Sequence, residues 1–142
     1  MAKPDNAEQL AYFHQWFGWA TLFVFLVLGL VLETLHGFKL SWYLDVGMEN
    51  RRLLFTLAHS HGALIGLIHL ALAAHASRMQ WGLALRTCSW ALCSATILLP
   101  GGFFLGGLFL MGSDPGLGVL LTPLGGLLLA LAVGCAWKAS IR

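Results

Sequence analysis

Charge is what this chain has least of. Eight Lys/Arg and six Asp/Glu are distributed over 142 residues, 10% of the total against 58% hydrophobic. A soluble domain carries about a quarter charged residues, so a water-facing globular enzyme and a disordered chain are both excluded. A formal net charge of +2 builds no basic face, which excludes a nucleic-acid partner. Cysteine is equally sparing: Cys88, Cys93 and Cys135 form no Cys-x-x-Cys and no pair in a loop. Thiol exchange with a quinone-coupled oxidoreductase needs vicinal cysteines, so these three read as small residues in helix packing. Residues 1–15 are polar and amphipathic, with one lysine and no small-residue cleavage site, which is not the pattern of a signal peptide.

Long apolar runs are what the chain does have. A membrane-spanning helix needs about 20 apolar residues, and four segments qualify: 16–35, 53–74, 83–110 and 118–137. The expected fold is an all-α membrane protein, a single domain over 1–142 forming a four-transmembrane-helix antiparallel bundle. An interfacial segment, 37–50, joins the first two spans, with Leu40, Trp42, Tyr43 and Leu44 dipping towards lipid and Lys39, Asp45 and Glu49 facing water. Lys3, Arg78, Arg86, Lys138 and Arg142 fall on the side of the termini, and Lys39, Arg51 and Arg52 on the other. That imbalance places both termini in the cytoplasm, in a bacterial host at the inner membrane. Trp16, Trp19, Trp81 and Trp137 mark one interface, and Trp42 and Tyr43 the opposite one.

Small residues indicate how the bundle closes. Gly62-x-x-x-Gly66, Gly102-x-x-x-Gly106 and the Gly125-Gly126 pair let backbones approach closely. The Gly-rich third and fourth spans also offer a face for a second copy or a larger membrane complex. Pro100 lies inside the third span and is expected to break or bend it. Asp114-Pro115-Gly116 reads as the turn between the last two spans.

Six histidines are many for so apolar a chain, because ionisable groups are costly in lipid and face an interior or a cavity. His14 and His75 read as solvated interfacial residues at the cytoplasmic side, and His69 has no obvious partner. At the outer side, Glu33 and His36 close the first span at spacing i, i+3, on one face. The second span brings His59-Ser60-His61-Gly62 into the same leaflet. His59 and His61 lie roughly 200° apart around a helix, so one is expected to face the first span and the other a different neighbour. His61 is the preferred ligand from this pair, because Gly62 leaves room for a flat ring. His36 is the preferred ligand from the first span, with Glu33 orienting an imidazole through its free N–H. A haem b held by His36 with His59 or His61 would place Arg51, Arg52 and Lys39 near its propionates. A bare metal ion would draw on Glu33, His36 and His61, with Asp45, Glu49 or Asp114 completing the set.

The segment Ala58-His59-Ser60-His61-Gly62-Ala63-Leu64-Ile65-Gly66 resembles the Ala-His-x-His helix of haem–copper oxidase and nitric oxide reductase core subunits. That resemblance covers one helix and implies a haem b ligand on it. The further ligands those families place on later helices have no counterpart, since the third and fourth spans hold no histidine. Leu121-Thr122-Pro123-Leu124-Gly125-Gly126-Leu127 is similar to the last helix of a small four-helix membrane family of unknown function, which implies a fold and no activity.

Three readings of the outer cluster stand: a haem or metal site serving redox or electron-transfer chemistry, a polar network tying two helices together, and a substrate or proton pathway. The alternative at the level of the whole protein is a non-catalytic accessory subunit of a membrane complex.

Overall fold

A helix closes its backbone hydrogen bonds within its own segment, which suits long apolar runs, and helices dominate. A computed structural model describes residues 6–45, 47, 49–79 and 82–140. Among these there is no strand beyond one isolated bridge between Met111 and Asp114. The helices are α1 (Asn6–Gly37), α2 (Ser41–Leu44), α3 (Glu49–His75), α4 (Leu83–Leu108) and α5 (Leu121–Ser140). Short 3-10 turns, Ala76–Arg78 and Leu117–Leu120, extend α3 and precede α5. Four helical segments are long and apolar enough to cross a membrane: Asn6–Gly37, Glu49–Arg78, Leu83–Leu108 and Leu117–Ser140. Lys3, Trp81 and Arg142, which entered the charge and aromatic patterns, lie outside the described residues.

Packing runs in the order α1–α3–α4–α5. Between α1 and α3 the register is set by glycine. A Cβ on Gly18 would stand 3.0 Å from both the Gly66 carbonyl oxygen and His69 Cβ. One on Gly66 would stand 3.0 Å from the Leu22 backbone nitrogen. Further along, Gly62 receives the Phe25 ring and Gly29 receives the His59 ring. Residues that ascend along α1 thus meet residues that descend along α3. The α4–α5 seam uses the same device, with Gly102 against Thr122, Gly106 against Val119 and Gly125 against Leu99. These glycines meet each other's helices within one chain. The core, with Ile65, Leu72, Leu85, Cys88, Leu92, Leu99 and Ala132, lies between α3, α4 and α5.

Three sequence expectations need correction. First, α1 starts at Asn6 rather than near 16, so His14 lies within the helix and is fully buried. Second, α4 continues as helix through Pro100. Proline removes one backbone donor, but Leu99, Pro100 and Gly102 are all buried and Gly125 lies directly on the Leu99 backbone, so packing holds the turn. Third, Tyr43 does not point away from the protein. It is 4% exposed and packs with Leu32 and Phe55. The chain reaches α2 through a turn in which the Leu40 N–H bonds the Leu35 carbonyl while Lys39 takes a φ of +52°.

The glycine contacts yield a sign test. Gly66→Ala forces a Cβ onto the α1 backbone and should cost about 1–3 kcal/mol. Gly126→Ala, with open space around it, should be neutral or stabilise by about 0.5–1 kcal/mol through helix propensity. Denaturant unfolding in detergent micelles checks both, and equal effects would contradict the close approach.

Candidate metal centre

Three polar stripes converge near the start of α1. On that helix His14 lies one turn before Gly18, and on α3 His69 lies one turn after Gly66. The Gly18–Gly66 contact therefore brings the two imidazoles face to face. On α4, Ser89, Cys93 and Thr96 recur at i, i+4 and i+7, which places them on one side of the helix. His14 Nδ1 is 2.6 Å from His69 Nδ1, and His14 Nε2 is 2.8 Å from Ser89 Oγ. His69 Nε2 is 2.9 Å from Thr96 Oγ1, which itself donates to the Leu92 carbonyl at 2.8 Å. Both rings are 0% exposed. Phe17 closes one side, its ring edge-on to His69 with centroids 5.0 Å apart.

Those bonds fix the protons. Neither ring has a carboxylate partner among the described residues, and an uncompensated charge in so apolar a place is strongly disfavoured, so both imidazoles are neutral. Thr96 uses its own hydrogen on Leu92, so it accepts from His69 Nε2–H. A neutral His69 then has a bare Nδ1, and His14 Nδ1–H donates to it. His14 Nε2 is left as an acceptor and takes the Ser89 hydroxyl proton. The result is a single polarised chain, Ser89 to His14 to His69 to Thr96 to Leu92, linking α4, α1 and α3. No buried side-chain nitrogen or oxygen among the described residues lacks a partner.

Cys93 completes a donor set. One ligand atom each from His14, His69 and Cys93 lies within 4.8 Å of the other two, so this group could hold a metal ion. Its members were read from sequence as a solvated histidine, a histidine without a partner and a packing cysteine. The legible signal was a histidine one turn from a glycine on each of two helices, facing a Ser-x-x-x-Cys-x-x-Thr stripe on a third.

The outer cluster is divided. Glu33, His36 and His59 line one cleft of about 550 Å³ together with Gly29, Tyr43 and Thr56. Glu33 and His36 are exposed there and His59 is half-buried. His59 Nδ1–H donates to the Phe25 carbonyl at 2.7 Å, and its Nε2 has no hydrogen-bond partner among the described residues. His61 does not line this cleft. It faces Phe103 of α4, ring centroids 5.1 Å apart, and its Nδ1–H donates to the Leu57 carbonyl at 2.8 Å. Thus His59, not His61, is the histidine of the pair that faces α1. Arg51 is buried, with its guanidinium 4.3 Å from the Trp42 ring centroid and bonds to the Trp42 and Gly107 carbonyls. Arg52, half-buried, sits 3.8 Å from the exposed Glu49 in an i, i+3 pair. Asp45 accepts the Gly47 N–H. The two sites stand roughly 28 Å apart along α1, at 1.5 Å of rise per residue.

No protein-family model matches the chain, and neither a curated protein nor a solved structure is significantly similar to it.

Thr96→Val keeps the side-chain shape but strands the buried His69 Nε2–H. It should destabilise the protein by about 1–3 kcal/mol, whereas His75→Ala, at an exposed position, should change stability by under about 0.5 kcal/mol. Thermal unfolding in micelles measures both. An unaffected Thr96→Val variant would contradict the proton assignment.

Proposed function

We propose that this chain is an integral membrane protein whose four long helices form one antiparallel bundle, and that it binds a transition-metal ion between α1, α3 and α4. The metal reading is carried by one observation: two fully buried imidazoles and a thiol, from three helices, offer ligand atoms within 4.8 Å of one another. Ser89 and Thr96 hold the remote ring nitrogens, the kind of support that orients metal-ligating histidines. The membrane reading is supported by exposed Trp16, Trp19, Phe23, Leu30, Trp90, Ile97, Leu127 and Trp137, which would be costly against water and are at home against acyl chains. A bacterial inner membrane with cytoplasmic termini is the orientation that the Lys/Arg distribution favours. The metal site then lies in the cytoplasmic leaflet, and redox service to a membrane partner is the role its chemistry suits.

The outer cleft favours a second reading. A carboxylate and two imidazoles, Glu33, His36 and His59, share its wall, a donor set for a bare ion or, through the two histidines, for haem b. The burial of Arg51 on Trp42 leaves one fewer cation for propionates, which favours the bare ion there.

Elemental analysis of protein purified after metal loading tests both sites. One ion per chain is expected, reduced at least about 10-fold in His14→Ala and in Cys93→Ser and unchanged in His36→Ala. Retention in His14→Ala with loss in His59→Ala, or a Soret band lost in His59→Ala, would move the function to the outer cleft. A wild-type protein that retains neither metal nor haem would contradict both.

A further inference from the structure

Resting on the metal reading, we propose that the ion held by His14, His69 and Cys93 is Cu(I), taken up in exchange for one proton. The argument is one of charge. The donor set contains two imidazoles, neutral in any ligating form, and one thiol, the only member able to supply a negative charge. No carboxylate belongs to the group, and both rings are fully buried beside Phe17. A monovalent ion with one thiolate makes a neutral complex. A divalent ion would leave a net positive charge in apolar surroundings, which desolvation opposes strongly.

Ligand type and number agree. Thiolate and imidazole together suit a soft ion. Structural zinc sites close with four protein ligands, and a fourth is missing here: the neighbouring hydroxyls of Ser89 and Thr96 already serve the ring nitrogens. Cys88 does not belong to the donor group; it is buried in the α3–α4–α5 core, with Cys135 packed against that cluster. Three donors satisfy Cu(I). The two Nδ1 atoms, 2.6 Å apart when they share a proton, would separate to about 3.4 Å around an ion at ordinary metal–nitrogen distances, a ring movement below about 1 Å.

The exchange balances. His69 is already in the required form, with its proton on Nε2 against Thr96. His14 moves its proton from Nδ1 to Nε2, and the Ser89 hydroxyl turns from donor to acceptor at the same contact. The Cys93 S–H bond breaks, a Cu–S bond forms, and that single proton leaves to solvent. Copper stays Cu(I) throughout, so no oxidant or reductant takes part. The site's net charge is zero before and after.

The test is an anaerobic titration of the full chain in micelles. Cu(I) is delivered from a competing chelator, Zn(II) is run in parallel, and protons are counted in weak buffer. One Cu(I) per chain and about one proton are expected, with Cu(I) preferred over Zn(II) by at least about 100-fold. Ag(I), also soft and monovalent, should displace the copper. Cys93→Ser should lose both uptake and proton release, while Cys135→Ser keeps them. If Cys93→Ser fails to fold, the wild-type stoichiometry and metal preference decide alone. Zn(II) bound as tightly as Cu(I), or release of two protons, would overturn the monovalent assignment and leave the metal reading standing. A chain that holds none of the three ions at this site would overturn both.

Discussion

The contact between Gly18 of α1 and Gly66 of α3 is the constraint on which the rest depends. With no Cβ on either residue, the helices meet backbone to backbone, and His14 and His69, each one turn away, have nowhere to go but against each other. At ordinary helix separations of 8–10 Å two facing imidazoles would have room to turn towards separate partners. At this separation their nitrogens sit 2.6 Å apart, and each must be provided for by the third helix. Ser89 and Thr96 do that from α4. Packing, tautomer and polar satisfaction are thus consequences of two missing methyl groups.

Away from water, every buried donor and acceptor must find its complement inside the chain. The Ser89–His14–His69–Thr96–Leu92 chain does so with all members neutral. Such a chain stabilises the fold on its own, and it also holds two imidazole nitrogens 2.6 Å apart across the α1–α3 contact. A ligand atom of Cys93 lies within 4.8 Å of both rings' ligand atoms. The residues of the polar network are therefore the same ones that could hold a metal ion, once the thiol proton is lost and the His14 proton has moved to Nε2.

Helix number was legible because apolar run length is a composition property, and the meeting of Glu33, His36 and His59 was legible because the first two spans are joined by a short segment. Which face of α3 turns to α1 was not legible. His59 and His61 are equivalent in composition, and only the seating of the His59 ring over Gly29 of α1 separates them. The start of α1 was misplaced because polar residues such as Glu8, Gln9 and Gln15 outweigh the apolar ones in its first turns, although His14 on the same stretch turns inward. Pro100 shows the opposite limit. The loss of one backbone hydrogen bond was read as an interruption, while the α5 contact that holds that turn comes from residues 25 positions further on. The buried site was missed for the same reason, since it is assembled from α1, α3 and α4, and His14 and His69 find their hydrogen-bond partners on other helices.

The most direct measurement is nitrogen-15 NMR of the metal-free protein in micelles, with histidine labelled. Ring nitrogen shifts report which nitrogen carries the proton, and a coupling across the N–H···N bond reports the contact itself. The expected spectrum has His14 protonated at Nδ1 and His69 at Nε2, with a resolved coupling between their Nδ1 nitrogens. Two rings in the same tautomer with no coupling, or either ring as a cation at neutral pH, would contradict the shared proton and with it the site.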